Sequence, residues 1–205
     1  MTVVREAATL ERLFDACFRE SHRTRLVGGA DEPLYVPATA DGCAEIRYRQ
    51  DYFASALHEV AHWCIAGAAR RALPDYGYWY AEAGRDAAAQ RAFEAAEVGP
   101  QAIEALFSAA CAWPFRISLD NPGRDDFDPQ PFVRAVDAEA ARLDDGALPP
   151  RAARFRAALR RHYCGTESGT ESGTEADTEA GTGAGTGART EAGRDEGREA
   201  VAGAS

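Results

Sequence analysis

The amino-acid composition changes abruptly at Gly165, and this change limits how much of the chain can fold. Residues 165–205 contain no aromatic side chain and only one branched aliphatic residue, Val201, in a loose repeat of glycine, threonine and glutamate. Such a segment buries too little apolar surface to offset the entropy that it loses on ordering. The sequence therefore predicts one folded domain over residues 1–164 and a disordered low-complexity tail over residues 165–205.

The charges of the chain restrict its partners. The tail has nine acidic residues and three arginines, so it holds −6 of the formal net charge of −10 and leaves −4 for residues 1–164. A mildly acidic body argues against direct binding to nucleic acid, although a net count does not exclude a local arginine stripe within residues 151–161. All 23 basic residues are arginine, which excludes a Schiff-base lysine and a phosphate-loop lysine.

Neither the cysteines nor the hydropathy indicate an exported or membrane protein. The five cysteines are widely spaced and include no C-x-x-C pair, a pattern typical of reduced, buried thiols. The chain has no apolar run of 18 residues and does not begin with a charged segment followed by an apolar one. We therefore expect a cytoplasmic protein with no membrane partner.

The spacing of apolar residues predicts a mostly helical fold. Apolar side chains that recur every three or four residues indicate helices over residues 4–20, 51–71, 86–110, 132–143 and 151–163. Gly99-Pro100 either divides or kinks the third of these helices. Short β-prone pieces occur at residues 34–36, 46–48 and 115–119, and Val27-Gly28-Gly29 is typical of a turn. Because these pieces do not alternate regularly with helices, the predicted class is α+β, one domain with a small sheet.

Residues 58–62 read HEVAH and lie in the middle of the second predicted helix. Histidines four residues apart project from the same face of a helix, with side-chain origins roughly 5–6 Å apart. This spacing lets His58 and His62 bind one metal ion, with Glu59 displaced around the helix toward a substrate or a bound water. Two uncoordinated imidazoles on an otherwise apolar helix would need other hydrogen-bond partners. We therefore favour a metal site over a purely structural role for this pair.

The third metal ligand is expected to be a carboxylate from a neighbouring helix. Glu94 and Glu97 are the candidates. We favour Glu97, because Gln101 follows four residues later and can hydrogen-bond a coordinating carboxylate. Glu94 then lines the cavity and, together with Glu59, is a candidate catalytic residue.

Two histidines and a glutamate do not select one reaction. The same ligands hold catalytic zinc in hydrolases and open-sided Fe(II) in oxygenases. From the residues alone, a zinc metallopeptidase is the default, with Glu59 as the general base that activates a water. A non-enzymatic adaptor that keeps a structural metal is a third alternative.

Four longer stretches of the chain resemble one family. They are TRLVGGADEPLYVPA from Thr24, YFASALHEVAHWCIAGAARR from Tyr52, DYGYWYAEAGRD from Asp75 and FEAAEVGPQAIEALF from Phe93. Together with residues 150–163, they make roughly residues 10–163 similar to the elongation factor P hydroxylases. The repetitive tail lies outside this resemblance.

The resemblance implies a reaction, a fold and a metal. The implied reaction is hydroxylation of a lysine on translation elongation factor P, after other enzymes have attached a β-lysine to that lysine. The implied fold is related to the HExxH metalloproteins rather than to the jelly-roll 2-oxoglutarate oxygenases. The implied cofactor is Fe(II) bound by His58 and His62, with zinc also able to occupy the purified protein, dioxygen as co-substrate and a separate reductant.

The resemblance also suggests how a cationic lysine arm is held. Glu59 would relay protons or receive the ammonium group of the substrate. Glu94 and Asp86 would add negative charge to the same site. The expected aromatic wall consists of Tyr76, Tyr78, Trp79 and Tyr80.

Overall fold

The computed structural model describes residues 5–77, 87–119 and 128–165. Over these residues the chain forms five α-helices: α1 (Ala7–His22), α2 (Phe53–Ile65), α3 (Ala87–Ala110), α4 (Gln130–Arg142) and α5 (Pro150–Tyr163). One sheet is formed by the strands β1 (Thr24–Ala30), β2 (Leu34–Val36) and β3 (Ala44–Arg49). The predicted α+β class, mostly helical with a small sheet, is confirmed.

The sheet is mixed and has β3 between the other two strands. β1 runs parallel to β3, and β2 runs antiparallel to it. The predicted turn at Val27-Gly28-Gly29 is wrong, because these residues lie inside β1. Their glycines permit an irregular strand instead, since the pairing register shifts between Val27 and Ala30 and Gly29 has φ +84°. A Cβ on Gly28 would lie 2.5 Å from the hydroxyl of the buried Tyr48, so packing also requires glycine there.

Helix α2, which carries the HEVAH motif, is shorter than predicted. It ends at Ile65 rather than at residue 71, and Ala66 adopts an extended backbone. The guanidinium of Arg151 on α5 donates hydrogen bonds to three backbone carbonyls at this end, those of Trp63, Cys64 and Ala66. Carbonyls at a helix C-terminus lack partners within the helix, so an arginine from a distant segment stabilises this end.

An aromatic cluster holds α2 against α1 and α5. Trp63 is fully buried, and its ring centroid lies 5.2 Å from that of Phe14 and 4.8 Å from that of Phe18. Phe155 on α5 lies 5.8 Å from Phe14 and 5.2 Å from Phe107 on α3. Aromatic pairs at such distances contribute about 0.5–1.5 kcal/mol each beyond the burial of their area. The position of α2 is therefore determined by packing that does not involve its histidines.

Helix α3 passes through Pro100 as one element. The β-like piece expected at residues 115–119 forms no strand in the described part of the chain. The side chain of Gln101 binds this segment instead: its amide nitrogen donates to the Ser118 carbonyl at 2.8 Å, and its amide oxygen accepts from the Ser118 N–H at 3.1 Å. A buried side-chain amide thus satisfies backbone groups that a neighbouring strand would otherwise pair.

Some predictions concern residues outside the described ranges. These are the disordered tail from residue 166 onward, the acidic Asp86 and the aromatic residues Tyr78, Trp79 and Tyr80. The domain boundary after residue 164 likewise stays a prediction. Within the ranges that are described, no helix combines the length and the hydropathy needed to cross a bilayer.

Candidate metal centre

The two histidines of α2 face a carboxylate on α3. His62 Nε2 lies 3.1 Å from His58 Nε2 and 3.2 Å from Glu97 Oε1. His58 Nε2 lies 3.5 Å from Glu97 Oε2. Donor atoms of these three side chains all lie within 4.8 Å of one another. Among the described residues, this is the one group of three or more His, Cys, Asp or Glu side chains close enough to share a metal ion. The fold therefore brings Glu97 next to both histidines.

The spacing of the donor atoms fits a single first-row metal ion. Ligand atoms about 2.1 Å from one shared ion lie roughly 3.0–3.4 Å apart in octahedral or tetrahedral geometry. The separations of 3.1 and 3.2 Å lie within that range, and the separation of 3.5 Å, to the other oxygen of Glu97, lies just above it. Imidazole nitrogens and a carboxylate suit Fe(II) and Zn²⁺ alike. The group can hold a metal ion, and its donor atoms do not choose between these two.

Glu104 belongs to the site and was not among the predicted site residues. Its Oε2 lies 2.8 Å from His58 Nδ1. A carboxylate at this nitrogen fixes the tautomer and the ring orientation of a histidine, so that Nε2 is directed at the metal position. Glu97, Gln101 and Glu104 follow one another at intervals of four and three residues on α3, so helical spacing was the signal that could have identified Glu104.

Buried negative charge surrounds the histidines. Burial by itself lowers the pKa of His58, but the hydrogen bond with Glu104 and the charges of Glu59, Glu104 and Glu97 outweigh it and raise this pKa to about 9. Burial alone raises the pKa of Glu97, whereas its hydrogen bond with His62 and the charges of both imidazoles lower it overall. Three carboxylates beside two imidazoles favour a cation at this place, and a divalent metal ion meets that requirement.

The two candidate glutamates of α3 have different surroundings. Glu97 is 3% exposed, and the amide nitrogen of Gln101 lies 3.5 Å from its Oε2, a long contact of the kind expected from the sequence. Glu94 is half-buried, and its Oε1 accepts a hydrogen bond from Gln90 at 3.2 Å. Glu94 is thus outside the group formed by Glu97 and the histidines, and its catalytic role stays a prediction.

A cavity of about 380 Å³ opens beside His62. Its walls are mostly small and apolar and include Ala66, Ala69, Ala96, Pro100 and Tyr76. Glu59, half-buried on α2, is close enough to Tyr76 for its charge to raise the pKa of this phenol, although burial raises that pKa more. Burial also raises the pKa of Glu59, and the neighbouring imidazoles only partly oppose it. An apolar cavity next to a metal-binding group and a carboxylate is an arrangement typical of an active site.

Tyr76 forms part of the aromatic wall that the sequence predicted. Its ring stacks on Tyr35, with centroids 4.3 Å apart and an interplanar angle of 16°. Asp75 and Tyr76 both have positive φ, 46° and 58°, and the Asp75 carboxylate accepts a hydrogen bond from the Tyr35 N–H at 2.8 Å. Two successive non-glycine residues in this region carry strain of about 1–3 kcal/mol each, which the bond and the stacking offset.

The sequence matches known proteins over the span that contains this site. Residues 13–172 match the profile of the family described as elongation factor P hydroxylase. A curated relative, the elongation factor P lysine hydroxylase of Haemophilus influenzae, is 44% identical over 152 residues, which cover 72% of this chain and 83% of the relative. The matched span includes both histidines of the HEVAH motif, Glu97 and Glu104. This chain belongs to the elongation factor P hydroxylase family.

Proposed function

We propose that this chain hydroxylates the β-lysylated lysine of translation elongation factor P, with Fe(II) bound by His58, His62 and Glu97 and dioxygen as co-substrate. The three-donor group in a member of this family is the observation that carries the proposal. The name of the H. influenzae relative supports elongation factor P as the protein substrate. Mass spectrometry of the factor after incubation with the iron-loaded protein tests it, since the expected gain is the mass of one oxygen atom.

The number of protein ligands supports a catalytic site over a structural one. A structural metal site is usually closed by four protein ligands, whereas a catalytic site keeps positions for other molecules. In the part of the chain that the structure describes, three side chains form the group. This count favours an enzyme over the adaptor that keeps a structural metal.

Iron, when bound, supplies the redox chemistry with dioxygen that an unactivated C–H bond requires and that side chains cannot supply. In the overall balance, one oxygen atom enters the C–H bond to give C–OH and the other leaves as water. Two electrons come from a separate reductant, together with two protons. The task of the protein is to hold the ligands in place, which Glu104 does for His58 and Gln101 does for Glu97.

The cavity beside His62 suits an extended aliphatic arm with a cationic end. Ala66, Ala69, Ala96 and Pro100 provide apolar surface against which methylene groups lose contact with water. Glu59, whose charge acts on Tyr76 of the cavity wall, would accept charge-assisted hydrogen bonds from an ammonium group of the arm. In a hydroxylase, therefore, Glu59 acts by positioning the substrate rather than by activating water.

The same ligand set also serves zinc peptidases, in which Glu59 would be the general base. The family match favours hydroxylation, because both the matching profile and the relative are named for it. The two functions differ in the metal that they need. Hydroxylation requires a redox-active ion, and peptide hydrolysis does not.

Exchange of Glu97 or of Glu94 for glutamine is expected to separate the roles of these two residues. Glu97→Gln should lower metal affinity by at least about 100-fold, because a neutral amide replaces one of the three donors. Glu94→Gln removes the same charge one turn away and should keep the metal, which makes it the matched control. Titration with a metal-sensitive chelator measures both affinities. Greater metal loss in Glu94→Gln than in Glu97→Gln would transfer the ligand role to Glu94.

Loss of the Glu104 carboxylate is expected to weaken metal binding without removing a ligand. Glu104→Ala should lower metal affinity by about 10–100-fold, since His58 then loses the partner that fixes its tautomer. Glu104→Gln keeps a hydrogen-bond acceptor and should lose less. The same chelator titration ranks the two variants, and equal affinity in the alanine variant and the unmodified protein would contradict this role.

A further inference from the structure

Four arginines form a charged cluster that the proposed reaction does not use. We call Arg71, Arg151, Arg154 and Arg161 the arginine cluster. At about 100° per helical residue, the three members on α5 lie within an arc of about 80°, and they span roughly 15 Å along the helix. Arg71 approaches from the segment that follows α2, and both Arg71 and Arg151 donate hydrogen bonds to the Ala66 carbonyl.

The members of the cluster lie close enough to influence the same neighbouring groups. The pKa of His22 is lowered by burial and then by the charges of Arg151, Arg71 and Arg154. The charges of Arg154 and Arg161 oppose the rise that burial causes in the pKa of Cys17. Positive charge therefore extends from the end of α2 across the neighbouring part of α1 and α5.

Buried aromatic rings hold three of these guanidinium groups in position. The guanidinium carbon of Arg151 lies 4.8 Å and that of Arg71 lies 6.0 Å from the Trp63 ring centroid. The corresponding distance from Arg154 to the Phe18 ring is 5.3 Å. Stacking of this kind restricts the side chains before a partner arrives, so less entropy is lost on binding.

No member of the cluster forms an ion pair within the described residues. The ion pairs that arginines form there involve other residues, Arg19, Arg47, Arg142 and Arg156. Cations without a paired carboxylate, in a chain with a formal net charge of −10, favour an acidic partner at this surface.

The arginine cluster borders the cavity of the candidate metal centre. The Ala66 carbonyl, which accepts hydrogen bonds from two members of the cluster, belongs to a residue of the cavity wall. Arg70, the neighbour of Arg71 in the chain, lines the same cavity together with His62. A molecule bound along the cluster would therefore have one end, at Arg71 and Arg151, next to the wall of this cavity.

We propose that the arginine cluster docks a carboxylate-bearing surface of the protein substrate, beside the lysine that enters the cavity. This inference rests on the proposed function and deepens it, since it assigns a docking face to the substrate protein. Carboxylates are favoured over the phosphates of nucleic acid, because Trp63 and Phe18 are covered and offer no exposed ring for base stacking.

The test removes the two exposed charges of the cluster and leaves Arg71 and Arg151, which hold the end of α2. Arg154→Gln/Arg161→Gln should bind β-lysylated elongation factor P about tenfold more weakly at low ionic strength, and the difference should fall below about twofold at 0.5 M salt. KM should rise by a similar factor while kcat stays unchanged. Arg134→Gln/Arg142→Gln removes two charges from α4 and is the matched control, which should bind like the unmodified protein.

Two further variants separate docking from folding. Arg154→Lys/Arg161→Lys keeps both charges and should retain the affinity within about threefold. Arg161→Glu reverses one exposed charge at the end of α5 and should weaken binding even if the double glutamine variant is unstable. Melting temperature and metal content are measured for each variant.

Unchanged affinity in the double glutamine variant and in Arg161→Glu would overturn the docking face but leave the proposed function intact, provided that the factor is still hydroxylated. An equal loss in the α4 control would show an effect of net charge alone and would also overturn it. Tighter binding of a short RNA oligonucleotide than of the factor would assign the cluster to nucleic acid instead. If the unmodified protein neither binds nor hydroxylates the factor, both proposals fail.

Discussion

His58→Ala or His62→Ala is expected to release the metal and abolish hydroxylation while the helices remain folded. Each histidine contributes one of the three donor atoms of the group. Loss of a residue that only supports a ligand already lowers metal affinity by about 10–100-fold, so loss of a ligand should cost at least about 100-fold. Folding should survive, because α2 is packed on its other side by Trp63 and the aromatic rings around it.

The measurements are metal content after gel filtration, far-ultraviolet circular dichroism and the mass of the treated factor. His162→Ala is the matched control, since His162 is exposed near the end of α5 and lies outside the group. This control should keep both metal and activity. Full metal occupancy in both His58→Ala and His62→Ala would refute the site.

Metal exchange is expected to decide between hydroxylation and hydrolysis. The protein reconstituted with Fe(II) in air, with a reductant present, should add one oxygen atom to β-lysylated elongation factor P. The zinc form should add none, because zinc has no accessible second oxidation state and cannot transfer the electrons that the reaction needs. Because the protein ligands are the same in both forms, the metal alone should decide whether the factor is hydroxylated.

The family resemblance further predicts that turnover does not depend on 2-oxoglutarate, because it implies a fold unlike the jelly-roll oxygenases. Omission and addition of this compound, with oxygen consumption recorded, test that expectation. Cleavage of peptides by the zinc form, together with an unchanged mass of the factor after treatment with the iron form, would replace the hydroxylase by a peptidase. Failure of both reactions with intact metal binding would favour the adaptor.

Periodicity in the sequence predicted the helices and the face of α2 that carries both histidines. Residues four apart on a helix share a face in any fold, so His58 and His62 could be paired without knowledge of the tertiary structure. The same argument led from Glu97 to Gln101, and their side chains are in contact. Glu104, one turn further along this face, was missed because the argument stopped at the first residue able to support the ligand.

Signals from single residues were less informative than periodicity. Gly28 and Gly29 were interpreted as a turn, but they lie in β1, where the ring of Tyr48 and a shift in register require residues without a side chain. A glycine shows that the backbone needs space or a positive φ. Whether that need comes from a turn or from a neighbouring strand depends on residues that are distant in the chain.

The sequence by itself determined the class of the fold and the face of α2 that carries the two histidines, because both follow from contacts between near neighbours in the chain. Only the tertiary structure decided what that face meets. His58 and Glu104 are 46 residues apart, and the Arg151 guanidinium ends α2 at carbonyls 85–88 residues away. Local periodicity states which side chains share a surface, but the partner of a surface is chosen by how whole helices pack, and this depends on the shape and charge of every element at once.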